Sequence, residues 1–418
     1  MTMTENKIFD KKEISQVLLV GIDLSQPDFY ESMDELRELT TTAGGNIVGQ
    51  IIQKRRSIDK NHVLGPGKLE EIKDFIKQHG INLVIFNDNL APSQVVNIEN
   101  IIDCRVIDRT ILILDIFAQR ARTAEGKLQV EAAQLKYLQP RLVGRRADLS
   151  RLAGGIGTRG PGETKLETDR RYIREKIRKL DEEIEKLAKN RSLLRAKRIK
   201  NENLVAIVGY TNAGKSTLLN TLTNADVYAE DKLFATLDTT TRRVEFESGT
   251  SALLTDTVGF IRDLPHEIVK AFKSTLEEAV FADLVLLVAD VSDEQCKEKI
   301  EVTKKTLEEI GAISKQIVVY NKCDKYAKDF DNNLLDDSIF VSAKTGFGLD
   351  LLKKKIEEFF DQSMIEMQLI VPYQNFAILS KINKDEILSF ENLDDGAHLK
   401  IKIDQSNKDI KEFKKFVR

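Results

Sequence analysis

A chain of 418 residues is long enough for two to four domains with substantial cores. Hydrophobic residues at 41% and charged residues at 31% argue against wholesale disorder, and no apolar run approaches the roughly 18 residues of a spanning helix. Three widely spaced cysteines (Cys104, Cys296, Cys323), four histidines without ligand spacing and a start, MTMTENKIFDKKE, unlike a signal peptide predict a cytoplasmic protein with neither a disulfide framework nor a histidine metal centre.

From Val17 to about Ile107, the β-rich runs VLLVGI, NIVGQII, NLVIF and CRVI alternate with amphipathic segments beginning near Tyr30, Lys68 and Ser93. This alternation predicts a small α/β layer with a largely parallel sheet. Gly65, Pro66 and Gly67 read as a turn feeding a helix.

Thr110 to Tyr137 carries ILILDIF and QVEAAQLKYL at helical spacing, as one long helix or two joined near Gly126, closed by Pro140. A second long helix is signalled by Leu166, Ile173, Ile177, Leu180, Ile184, Leu187 and Leu194, a heptad seam interrupted by Arg191. The economical arrangement is an antiparallel helical hairpin. Its connection holds Gly154, Gly155, Gly157, Gly160, Gly162, Arg159, Arg170 and Arg171, far more than a helical turn needs. The overall net charge of −3 hides a local excess: residues 141–200 carry 19 Lys or Arg and 9 Asp or Glu, a net of +10, leaving −13 elsewhere. Exposed amides and arginines at such a tip suit a phosphate backbone; a flexible linker is the other reading. The glycine spacing is not a dinucleotide fingerprint, because no strand precedes it.

LVAIVGYTNAGKSTLLNTL is a strand, a glycine-bounded loop and a helix that matches GxxxxGK[ST] across Gly209, Tyr210, Thr211, Asn212, Ala213, Gly214, Lys215, Ser216 and on to Thr217. Lys215 should lie along the β and γ phosphates, and Ser216 should ligate Mg²⁺. SALLTDTVGF ends a strand with Asp256, suited to hold Mg²⁺ through water, then Thr257, Val258 and Gly259, whose N–H can meet a γ-phosphate. QIVVYNKCD places Asn321, Lys322 and Asp324 after another buried strand, and the Asp324 carboxylate can accept two hydrogen bonds that guanine donates and adenine does not. IFVSAKTG adds Ser342, Ala343 and Lys344, with the Ala343 amide aimed at the guanine carbonyl.

These motifs resemble the translation-factor-like class of GTPases over about 160 residues. VLGPGKLEEI, LILDIFAQRARTAEGKLQVEAAQLKY, the PRL at Pro140 and GGIGTRGPGETKLETDRR extend the resemblance specifically to the HflX family, over about Val17 to Phe360. That resemblance implies a cytoplasmic GTPase that binds the large ribosomal subunit, separates ribosomal subunits and inserts its hairpin tip into ribosomal RNA. It also implies a first switch at FATLDTTTR, with Phe234, Ala235, Leu237 and Asp238 around Thr236, the threonine that closes on Mg²⁺. Where the family reads proline this chain has Thr239, which removes no ligand. Asn212 resembles an asparagine that holds K⁺ beside the phosphates in related GTPases. Many GTPases carry a water-orienting glutamine after the glycine of Gly259; here it is Phe260, so intrinsic hydrolysis should be slow and activated from outside.

The expected architecture is an α/β P-loop GTPase domain (201–360), preceded by a small α/β domain (1–109) and a long antiparallel helical hairpin (110–200), and followed by a small α/β C-terminal domain (361–418). The expected molecule is a monomer in solution that binds GTP and GDP, and splits ribosomes under nucleotide control. A non-catalytic anti-association factor and an RNA-remodelling NTPase are the alternatives.

Overall fold

The computed structural model describes residues 14–143, 161–198, 202–223, 233–234, 236–237, 239–247, 249–262, 273–325, 338–382, 386–404 and 409–417. They divide into two compact units, one of residues 1–244 with 252–346 and one of 245–251 with 347–418.

The first unit begins with β1 (Gln16–Asp23), α1 (Phe29–Thr42), β2 (Asn46–Lys54), α2 (Pro66–His79), β3 (Leu83–Phe86), α3 (Pro92–Ile102) and β4 (Arg105–Asp108). The strands form a parallel sheet in the order β2-β1-β3-β4, as the alternating pattern predicts. Both faces are covered, so the central strands are apolar throughout. Leu18, Val20, Val84 and Phe86 belong to one buried cluster with Leu69 and Ile72 of α2 and Ile98 of α3. Val17, Leu19 and Ile85 belong to another with Met33 and Leu36 of α1. Proline at the first position starts α2 and α3, where its missing N–H has no intrahelical partner in any case.

The predicted first arm of the hairpin is two helices. α4 (Arg109–Arg120) is capped by Asp108, which accepts from Ile111 N at 3.0 Å, and α5 (Ala124–Leu138) by Thr123, which accepts from Gly126 N at 3.0 Å. The break falls at Ala121–Thr123, where Ala121 and Thr123 take extended backbone angles. The chain turns back there: the Tyr137 hydroxyl (2.7 Å) and Arg141 Nη2 (2.5 Å), at the far end of α5, both reach Asp108 Oδ2. The buried Asp108 carboxylate thereby joins the start of α4 to the point where residues 144–160 follow.

α6 (Pro161–Arg198) is the predicted heptad helix, 38 residues long. Ile173 and Leu180 of its seam are buried. Two ion pairs fasten it to α5, Lys176–Glu131 (2.6 Å) and Lys136–Asp181 (2.7 Å).

The nucleotide-motif region contributes β5 (Asn203–Gly209), α7 (Lys215–Thr223), β6 (Thr240–Glu245), β7 (Ser251–Asp256), α8 (Lys273–Phe281), β8 (Leu284–Asp290), α9 (Cys296–Ile310), β9 (Lys315–Asn321) and β10 (Ser338–Phe340). The sheet order is β10-β9-β8-β5-β7-β6, and β5 pairs in parallel with β7 on one side and β8 on the other. Strand order therefore reverses at β5, and the crevice outside the carboxyl ends of β5, β7 and β9 is where such sheets bind ligands. One buried cluster runs from Leu36, Ile113 and Phe117 into Phe234, Phe260 and Leu287, so the N-terminal layer and this sheet share a core.

The second unit holds α10 (Leu349–Ser363) and an antiparallel sheet, β11 (Met364–Val371), β13 (Gly396–Asp404) and β12 (Ile387–Leu393), in the order β11-β13-β12. Its own core gathers Leu369, Val371, Ile401, Ile403 and Phe413 of α11 (Ile410–Phe413). Among the described residues no helix is long and apolar enough to cross a membrane.

Candidate nucleotide site

The loop between β5 and α7 closes on itself before any ligand enters. Thr211 N donates to Phe260 O (2.8 Å) and Phe260 N to Gly209 O (3.1 Å), which joins the loop to the segment after β7. Gly214 has φ +88°, and a Cβ there would lie 2.3 Å from Asn321 Nδ2, so only glycine fits. At Gly259 a Cβ would lie 2.8 Å from Thr211 Cγ2 and 3.0 Å from Lys215 Nζ; its absence lets the DTVG backbone close over the lysine.

Lys215 is buried and its Nζ donates to Tyr210 O at 2.8 Å. Burial pushes its pKa down to about 8, reinforced by Lys322 and opposed by Asp256. Burial likewise raises the pKa of Asp256, against the pull of Lys215 and of the Ser216 hydroxyl. Each group is an ion held where its charge is poorly solvated, an arrangement relieved by a polyanion beside Lys215 and a cation beside Asp256.

Ser216 Oγ donates to Asp256 Oδ2 (2.6 Å) and lies 2.7 Å from Thr236 Oγ1. Asp256 Oδ1 is buried without a hydrogen-bond partner. Two hydroxyls and a half-satisfied carboxylate form a set of hard oxygen donors, which suits Mg²⁺.

At the other end of the crevice, Asn321 is a clamp. Its Nδ2 donates to Ala213 O (2.9 Å) and its Oδ1 accepts from Ala343 N (3.0 Å), which ties the loops after β5, β9 and β10 together. The Ala343 amide, expected to face a base carbonyl, is therefore already engaged by Asn321, because the buried amide oxygen needs a donor. Ser342 Oγ donates to Asp324 Oδ1 (2.6 Å), and this bond is the first cause of the lowered Asp324 pKa. Asp324 is exposed and ionised at neutral pH, so it presents acceptors alone. Lys322, at φ +62°, pairs with Asp290 at 2.8 Å, which turns the chain so that Asp324 faces the crevice.

The cavity, about 300 Å³, is lined by Thr211, Asn212, Gly214, Lys215, Ser216, Thr217, Phe234, Thr236, Thr257, Gly259, Asn321, Lys322, Asp324, Ala343 and Lys344 among the expected residues, and by Lys325, which was not expected. Asp256 and Ser342 stand directly behind Ser216 and Asp324. Leu237 and Val258 are packed in the core, as are the Tyr210 ring and the Phe260 side chain, so none of these four side chains faces the cavity. Ala235 and Asp238 lie outside the described residues, as do Gly154, Gly155, Gly157, Arg159 and Gly160. Gly162 is in the first turn of α6; further along it Arg170 is half-buried and Arg171 exposed.

A phosphate loop at the reversal point of a parallel sheet, a hydroxyl–carboxylate cluster and an acceptor-only carboxylate for the base together define a P-loop GTPase. Family models agree along the chain: "GTP-binding GTPase N-terminal" matches residues 30–118, "GTP-binding GTPase Middle Region" 120–198 and "50S ribosome-binding GTPase" 204–322. GTPase HflX of Caldanaerobacter subterraneus subsp. tengcongensis is 52% identical over 366 residues, covering 87% of this chain and 85% of that one. GTPase HflX of Lacrimispora saccharolytica is 48% identical over 403 residues, 94% of each. A GTP-binding protein of the archaeon Sulfolobus solfataricus, solved with GDP, is 27% identical with a TM-score of 0.44, covering 82% of this chain and 98% of that chain. The chain belongs to the HflX family of GTPases.

Proposed function

We propose that this GTPase binds the large ribosomal subunit in its GTP state, separates ribosomal subunits and leaves after hydrolysis. The observation that carries the reading is the 2.7 Å contact between Ser216 Oγ and Thr236 Oγ1, with Ser216 bonded in turn to Asp256. It brings the first switch to the cluster that faces the phosphates, so loss of the γ-phosphate acts directly on that switch. The ribosomal partner is supported by the description of the family model over residues 204–322 and by the net charge of +10 across residues 141–200.

In this mechanism Lys215 exchanges the Tyr210 carbonyl for phosphate oxygens and the Gly259 amide meets the γ-phosphate. Ser216, Thr236 and Asp256 would hold Mg²⁺, which would neutralise phosphate charge when bound. Asp324 accepts from the guanine ring and exocyclic nitrogens, and Asn212, exposed on the loop, would supply its side-chain oxygen to a K⁺ ion beside the phosphates. The glycine-rich segment with Arg159, Arg170 and Arg171 contacts ribosomal RNA. Because the Phe260 side chain is buried, its 2% exposure leaves no group at that position to orient water, so activation comes from the ribosome, a monovalent cation or another rearranged side chain.

Density-gradient sedimentation of intact ribosomes with the protein tests the reading. Splitting with GTP and with a slowly hydrolysed analogue, but not with GDP, is expected; intact ribosomes under all three conditions would contradict it.

A further inference from the structure

Two contacts join the nucleotide site to the N-terminal layer, and the chemistry of hydrolysis requires neither. The first runs through Tyr210, whose ring is buried although it stands in the phosphate loop. Its hydroxyl donates to Glu35 Oε1 on α1 and accepts from Arg262 N at 2.7 Å, two residues past Phe260. The other Glu35 oxygen pairs with the buried Arg109, the first residue of α4, which is held in turn by Ser32 O (3.1 Å) and Asn87 Oδ1 (2.9 Å). Burial first, then Glu35, pushes the Tyr210 pKa up, so the phenol is a fixed donor. The Arg262 guanidinium adds Asp28, just before α1, at 3.0 Å and Glu298 at 2.9 Å.

The second contact runs through the first switch. Phe234, two residues before Thr236, is 2% exposed and packs edge-on against Phe117 of α4 with ring centroids 4.6 Å apart. Its φ is +53°, a left-handed conformation that a bulky side chain keeps only where its surroundings hold it.

One helix, α4, thus supports both segments that must follow the γ-phosphate, the phosphate loop by way of Arg109 and Glu35, and the first switch by way of Phe117. We propose that Glu35 and Phe117 are positioning residues through which the N-terminal layer holds the nucleotide site in its closed, GTP-ready arrangement, coupling nucleotide state to α1 and α4. The direction follows from the geometry: Thr236 already stands at Ser216, so these supports favour the closed site and their loss weakens GTP relative to GDP.

The inference rests on the nucleotide reading of the crevice and is tested by the affinities of the full chain for GDP and a non-hydrolysed GTP analogue. Removing a hydrogen bond to a charged group is worth about a factor of ten. Glu35→Ala and Tyr210→Phe are each expected to lower analogue affinity relative to GDP about tenfold, and the double variant to lower it no further than either single change. Phe117→Leu is expected to lower the same ratio about threefold. A purely structural role would reduce the melting temperature and weaken both nucleotides equally. Ratios within twofold of the parent in Glu35→Ala and Phe117→Leu, or independent effects of Glu35→Ala and Tyr210→Phe, overturn the proposal. Should Glu35→Ala fail to fold, Glu35→Gln carries the same cycle with an expected threefold shift. GDP affinity of the parent checks the site reading separately from the coupling.

Discussion

Asn321 offers a sharp division between holding a site together and touching its ligand. The side chain is 2% exposed and spends its amide on Ala213 O at 2.9 Å and Ala343 N at 3.0 Å. Asn321→Ala leaves a buried carbonyl and a buried amide without these partners. Each orphaned group costs about 1–3 kcal/mol, so the variant should lose about 2–6 kcal/mol of stability. That is a large part of the roughly 5–15 kcal/mol that holds a typical domain. At about 2–4 °C per kcal/mol for a domain of this size, the melting temperature should fall by about 4–24 °C. Asn321→Asp keeps the acceptor for Ala343 and loses the donor to Ala213, so roughly half the effect is expected. The assay is thermal unfolding of the nucleotide-free full chain, repeated with saturating GDP. A variant that melts within about 2 °C of the parent yet no longer binds GDP would refute the reasoning, because Asn321 would then act as a ligand and not as a clamp.

Three other outcomes are expected. Lys215, with a pKa pushed down to about 8 by burial, is largely neutral above that pH, and bound phosphates restore its charge. GDP binding should therefore take up a proton above about pH 8, with affinity falling as pH rises and levelling off below; calorimetry in two buffers of different ionisation enthalpy measures the uptake. The folded value lies below the ordinary 10.5, so this group makes the nucleotide-free fold more stable as pH rises between about 8 and 10.5. Asp324→Ala removes a charged acceptor for two guanine donors at about 1.5–3 kcal/mol each, so GDP affinity should drop about 10²- to 10⁴-fold and the preference over ADP should collapse, as measured by competition binding. Phe260→Gln should lower stability without raising single-turnover hydrolysis, since the side chain at this position lies in the core and not over the phosphates.

Local chemistry made the nucleotide site legible. Glycine at 214, lysine at 215 and serine at 216 each meet a backbone or phosphate demand that no other residue type meets as well, and their order fixes strand, loop and helix. The alternating runs from Val17 to Ile107 gave the parallel layer for the same reason, period matched to element. What stayed hidden depends on distance in space. Nothing in the sequence around Glu35 distinguishes it from the neighbouring carboxylates Glu31, Asp34 and Glu38, and its role emerges only when Tyr210, 175 residues away, is folded onto it. Phe117 reads as one more apolar residue in ILILDIF. The two-helix alternative holds, but the join falls at Ala121–Thr123 and not at Gly126, because Thr123 caps the second helix and Gly126 lies in its first turn. The bond from Ala343 N to Asn321 is likewise hidden, since a motif names the residues at a site and not the protein acceptors that reach them.

In the proposed function, nucleotide state, read at Ser216 and Thr236, controls attachment to the large ribosomal subunit. Equilibrium binding of the full chain to purified large subunits, with a non-hydrolysed GTP analogue and then with GDP, measures it most directly. The account predicts at least tenfold tighter binding with the analogue; equal affinity in the two states would contradict it.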